Sequence, residues 1–113
     1  MNNEMRDAYL EAVAFTEFGD EGQPPKDAEF SDLAKAQAWV VCSNFLRANA
    51  DLIDDKREQA AHDIWLTRNG HGVGFWDRPE IYGEEAAKIL TRCAQCLGET
   101  SVYVGDDGLV YFE

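Results

Sequence analysis

Both histidines of this chain, His62 and His71, and two of its three cysteines, Cys93 and Cys96, are residue types that ligate zinc. Zinc-binding cysteine pairs usually sit on a tight turn, whereas the spacing around Cys93-x-x-Cys96 is helical and puts Cys93 on an apolar stripe. Nor is it a thioredoxin motif, in which the pair opens a helix after a strand. Small core cysteines and no metal are the expectation. His71, with Asp63, Asp77 or Arg68, has the makings of an acid–base cluster: an imidazole oriented by a carboxylate beside a guanidinium that would anchor an anion. No serine or cysteine stands at an evident nucleophile position. The structural alternative is that Arg68 and Asp77 pair across a turn while His71 caps a backbone group. Gly70-His71-Gly72-Val73-Gly74 contains a G-x-G, but no strand precedes it and no helix follows, so the phosphate-binding context is missing. Asp51, Asp54 and Asp55 resemble a calcium loop without its central glycine or closing glutamate, and helix capping explains them better. No catalytic residue and no cofactor is assigned.

The elements that would position these residues are organised around His62–Arg78, which holds both histidines and two of the three tryptophans. Its hydrophobic period changes midway, from helical (Ala61, Ile64, Trp65) to alternating (Val73, Phe75). Asn69-Gly70 suits a left-handed helix end. The expectation is therefore a helix, a stop, and a strand over Gly72–Trp76, followed by a turn at Asp77-Arg78-Pro79. A first helix spans Glu4 to Phe18, with Tyr9, Leu10, Val13 and Ala14 inside and Glu4, Asp7 and Glu11 outside. The Gly- and Pro-containing run 19–25 is a loop. Ser31 is a plausible N-cap for a second helix to about Asn49, with Ala34, Ala38, Val41, Phe45, Ala48 and Leu52 as its seam, widened by Trp39 and Cys42. Asp51 or Asp54 would cap a third helix running through Arg68. A fourth, Gly83 to Leu97, buries Ala86, Ile89, Leu90, Cys93 and Leu97 and ends at Gly98. Val102–Val104 and Leu109–Phe112 flank Asp106-Asp107-Gly108 as a hairpin. A lone hairpin is marginal, so it should join the Gly72–Trp76 strand. The reading is a single α+β domain over residues 1–113, of about four helices on an antiparallel sheet of about three strands. Trp65, Phe75, Ile89, Val102 and Val104 are expected to be buried together.

The run HDIWLTRNGHGVGFWDR, with the closing YVGDDGLVYFE and the opening YLEAVAFTE, resembles a family of small acidic proteins of bacteriophages and prophages. The resemblance covers most of the chain and is weakest over residues 19–50. It implies viral origin and action in the cytoplasm of a bacterial host, and it brings no site residues with it.

Charge narrows the function classes. Twenty-two acids against ten bases give a net −12 in 113 residues. Residues 1–32 contribute −7 and residues 79–113 contribute −5, around a neutral middle. Such a field repels nucleic acid and anionic membranes and attracts basic partners. Simple solubility explains the same imbalance. No apolar run follows a basic N-terminal segment, so no signal peptide is expected, and nothing approaches a membrane span. Three cysteines suit a reducing compartment.

Two classes follow. The first is a non-enzymatic phage accessory protein that occupies a basic surface by spacing carboxylates like phosphates. Its target would be a host nuclease, restriction or CRISPR complex, or polymerase. Its partner-binding residues would be Glu17, Asp20, Glu21, Asp27, Glu29 and Asp32, with Glu80, Glu84 and Glu85 as a second cluster. The second is a small enzyme using His71, Arg68 and Asp77, and a virion or assembly component is a further alternative. If Val102, Val104, Val110 and Phe112 face the core, Tyr103 and Tyr111 form an outer patch suited to a protein partner or a homodimer contact.

Overall fold

The structure, a computed structural model, describes residues 3–18 and 29–113. Helix α1 (Glu4–Phe18) lies across α2 (Asp32–Ile53) and α3 (Arg57–Arg68). A 3-10 turn (Phe75–Asp77), a four-residue helix α4 (Pro79–Tyr82) and α5 (Glu84–Gln95) follow, and strands β1 (Val102–Val104) and β2 (Val110–Phe112) close the order. The described chain is thus mostly helical, with a two-stranded antiparallel sheet registered Val102 to Phe112, Tyr103 to Tyr111 and Val104 to Val110.

The first helix matches its pattern: Tyr9, Leu10 and Val13 are buried, and Glu4, Asp7 and Glu11 face water. Ser31 caps α2, its Oγ accepting from the Ala34 amide at 3.0 Å. The α2 seam runs as expected through Ala34, Ala38, Cys42 and Phe45, then drifts to Asn49 and Ile53, leaving Ala48 exposed and Val41 and Leu52 half-buried. Trp39, expected to widen the seam, lies on the outer side of the helix and is exposed. The helix continues past a kink at Asn49 (φ −130°), whose side-chain amide donates to the Phe45 carbonyl one turn back at 3.1 Å. No aspartate caps α3: its N-cap is Lys56, which makes no side-chain cap, and Asp54 instead ends α2 and pairs with Arg57 at 2.5 Å.

Two expectations fail for physical reasons. Gly72–Trp76 is not a strand. It is a bend that tightens into the 3-10 turn, burying Phe75 while Val73 and Trp76 stay exposed. The hairpin is braced instead by the segment entering α2. The Val110 amide donates to the Glu29 carbonyl at 2.8 Å, and the Ser31 amide to the Val110 carbonyl at 2.9 Å, a one-residue parallel bridge through Phe30. In α5 the buried face is Ala87, Leu90 and Ala94, rotated by about one residue from the expected stripe, so Ile89 is 46% exposed. The packing of α5 against the 3-10 turn, α3 and α4 sets this face. Of the five residues expected to share the core, Trp65 and Phe75 are buried, Val102 is partly buried, and Ile89 and Val104 are not.

Aromatic rings fill the interior in two groups. Trp65 meets Tyr9 edge-on at 5.7 Å and Phe112 at 5.9 Å, while Phe75 stacks on Phe45 at 5.6 Å and meets Tyr82 at 5.1 Å.

Candidate functional site

Most polar residues of the central stretch brace the fold through separate hydrogen bonds, the densest set centred on Asp63. Asp63 lies on the same side of α3 as Ala60 and Thr67 and is fully buried. One carboxylate oxygen accepts from Arg78 Nε at 2.9 Å. The other accepts from the Tyr82 hydroxyl at 2.7 Å and Gln59 Nε2 at 3.2 Å. Burial, reinforced by the bond to Asp63, pushes the Tyr82 hydroxyl well above the usual phenol range. The same carboxylate raises Arg78. Trp65 Nε1 donates to Thr16 Oγ1 at 2.7 Å, tying α3 to α1. Thr67 Oγ1 accepts from the Phe75 amide at 3.1 Å. A Cβ at Gly74 would stand 2.1 Å from that oxygen, so only glycine admits the approach.

Arg68 was the expected anion anchor and Asp77 its partner; the structure separates them. The Arg68 guanidinium donates to the Gly98 and Leu97 carbonyls at 2.8 and 3.1 Å, closing the end of α5, and to the Tyr9 hydroxyl at 3.2 Å. Asp77 accepts from the Gly74 amide at 2.9 Å. The side chain of Asn69 accepts from the Thr100 amide at 2.9 Å, while Gly70 takes the left-handed conformation read from the sequence (φ +66°). His71 is exposed. The cluster therefore does not converge on a reacting centre. The ion pair that does form, Asp63 with Arg78, is not the expected Arg68–Asp77 pair. The sequence signal for it was an aspartate set among buried positions of one helix face.

Both histidines line one cleft of about 730 Å³ between α1 and the turn after α3, bordered also by Glu11, Phe15, Leu66, Val73 and Arg78. It adjoins a polar groove of about 460 Å³ bordered by Asp7, Glu11 and Glu58. Cys93 and Cys96 line neither; Cys42 is buried, Cys93 half-buried and Cys96 exposed, all as free thiols. Among the described residues no group of three or more His, Cys, Asp or Glu side chains is placed to hold a metal ion. Asp51, Asp54 and Asp55 likewise do not converge, since Asp54 and Asp55 pair with Arg57 and Lys56.

No family model matches the chain, and neither a curated protein nor a solved structure matches it.

The surface carries the remaining chemistry. Of the residues expected to bind a partner, Glu29, Asp32, Glu80, Glu84 and Glu85 are exposed and Glu17 is half-buried; Asp20, Glu21 and Asp27 lie outside the described residues. Glu29 and Asp32 sit at the entry to α2, Glu80 on α4, and Glu84 and Glu85 in the first turn of α5, where they also suit the helix dipole. On the hairpin Tyr103 and Tyr111 stack at 5.5 Å on the face opposite the buried Val110. The Tyr111 hydroxyl donates to Asp107, which lowers the Asp107 carboxyl. Among the described residues no helix is long and apolar enough to cross a membrane.

Proposed function

We propose that this chain is a non-enzymatic binding protein that occupies a basic surface of another protein. One observation supports the reading most directly: every described acidic side chain except Asp63 and Glu17 is exposed. Ion pairs engage some of these carboxylates, among them Asp7, Asp54, Asp55 and Glu85. Exposed like charges at this density repel one another and oppose compaction, so neutrality at the surface would serve the fold better. An enzyme built on His71, Arg68 and Asp77 is disfavoured, because Arg68 and Asp77 are bonded to backbone groups elsewhere.

The finer proposal combines that surface with the resemblance to phage and prophage proteins. The chain would act in the cytoplasm of a bacterial host and occupy the nucleic-acid site of a host protein, as in a restriction, CRISPR or other nuclease complex. Rows of carboxylates present a basic groove with the same long-range field as a phosphate backbone. The test is capture from host lysate on the immobilised chain at low and high salt. The expected partner elutes steeply with salt and is displaced by duplex DNA. Reversing Asp20, Glu21, Asp27 and Glu29 to lysine should abolish capture with the fold intact, whereas single reversals mainly slow encounter. A reversed variant that retains its partner with the same salt response would refute the reading.

A further inference from the structure

From Leu33 to Ala50 the chain carries no acidic residue, although 22 of its 113 residues are acids. This whole stretch lies on α2, whose outer side exposes Leu33 (58%), Ala36, Trp39 and Val40 (51%). Ala36 and Val40 form a ridge between two grooves. One, of about 450 Å³, runs toward Arg6 past Lys35 and Trp39. The other, of about 400 Å³, runs toward Tyr9 and Phe112.

We infer that the outer face of α2 is the contact for a second copy of this chain, with the Ala36–Val40 ridge of each copy seated in a groove of the other. Charge selects the occupant. Two copies at −12 repel, and this side, with Asp32 and Glu113 at the margins of its grooves but no acid from Leu33 to Ala50, is where they approach with the fewest carboxylates opposed. Its bases, Lys35 and Arg47, lie within one turn of Asp32 and Asp51 at the ends of the same helix. An antiparallel two-fold through the Ala36–Val40 ridge brings Arg47 of each copy toward Asp32 of the other. Asp32 borders both this face and the acidic surface proposed above, while Glu29, Glu80, Glu84 and Glu85 of that surface lie outside α2. Shape agrees: a patch that presents ridge and groove together is self-complementary, as an isologous helix contact requires. A standard interface takes about 800 Å² from each partner, roughly an eighth of the 6617 Å² surface of this chain.

The test is sedimentation equilibrium and light scattering on the full chain across concentration and salt. The expected result is a concentration-dependent dimer that tightens as salt rises, because screening relieves the repulsion. That sign is opposite to the one expected for a basic partner, so the two proposals fail separately. Val40→Glu, and independently Leu33→Glu, should weaken the dimer by at least about a hundredfold, since each buries an unpaired carboxylate. Circular dichroism checks that both variants fold. Val104→Glu on the exposed hairpin should leave the dimer unchanged. A monomer at every concentration and salt overturns the proposal. So does a dimer indifferent to both α2 variants, or one that Val104→Glu dissociates.

Discussion

Removing Arg78 should cost this protein more than neutralising Asp63, although the two residues form one ion pair. The asymmetry comes from exposure. The Asp63 side chain is fully buried, whereas that of Arg78 keeps 29% of its surface. Arg78→Ala leaves a buried carboxylate with the Tyr82 hydroxyl and Gln59 amide as donors but no countercharge. Stranding a buried charge in this way costs about 3–5 kcal/mol. Asp63→Asn keeps the volume and an acceptor for Tyr82, and it leaves an arginine that already reaches water. Its cost should be that of a lost charge-assisted hydrogen bond, about 1.5–3 kcal/mol. Urea unfolding, followed by tryptophan fluorescence and circular dichroism, reads both. With an m-value of about 2 kcal/mol/M, Arg78→Ala should lower the midpoint by roughly 2 M. The decisive arm is the double variant. Adding Asp63→Asn to Arg78→Ala should recover stability, because a neutral amide needs no countercharge. If the double variant is less stable than Arg78→Ala alone, or if Arg78→Ala costs no more than Asp63→Asn, the reasoning fails.

Phe75→Ala removes a buried ring that contacts Phe45 and Tyr82 and should cost about 3–5 kcal/mol in the same unfolding assay. Gly74→Ala drives a methyl into Thr67 and displaces the bond from the Phe75 amide, so it should destabilise more than alanine at Gly72, which has open space and bears only the strain of its φ of +84°. Burial pushes the Cys42 thiol up to about 12. Folded protein given iodoacetamide should therefore label first at exposed Cys96 and at Cys42 only on unfolding, as mass spectrometry of peptides would show. Burial also raises the Tyr9 hydroxyl to about 12, partly offset by Arg68. Because the fold holds both protons more tightly than the unfolded chain, this stability is present below pH 9 and is lost between about pH 9 and 12. Tyr9→Phe should flatten the upper part of that decline, and an unchanged alkaline profile would contradict the assignment.

Where helices bury one stripe of apolar side chains, the sequence was readable: α1, the Ser31 cap, the Asn69-Gly70 stop and the Gly98 terminus all stand as read. The seam of α2 was lost where a polar residue broke the period, because Asn49 enters the core with its own backbone bond and shifts the register. Periodicity counts apolar residues and cannot weigh a buried polar group that is satisfied. The third strand was misread for a related reason. Val73 and Phe75 alternate as strand residues do, yet Val73 is exposed and the alternation is incidental to a tight turn. The brace of the hairpin lies 80 residues earlier in sequence, at Phe30 facing Val110, and local pattern has no access to such a pairing. The Asp63–Arg78 pair was hidden in plain composition: both residues stood in the central stretch, but which acid met which base depended on the turn between them.

That turn explains why so long a stretch reads as a site without converging as one. Trp65, Arg68 and Asn69 hold partners outside the stretch, and Asp63 with Arg78, Thr67 with the Phe75 amide and Asp77 with the Gly74 amide close the turn on itself. A chain of 113 residues has one modest core, and a net charge of −12 works against its compaction. The polar brace ties α1, α3, the 3-10 turn and the end of α5 without drawing on apolar area, which suits a protein that keeps its carboxylates outside. On this account the neutral middle of the sequence maintains the shape and the charged ends are displayed by it. Substitutions in the brace should then act through stability alone, while reversals at the ends change what the surface attracts and leave the fold as it is.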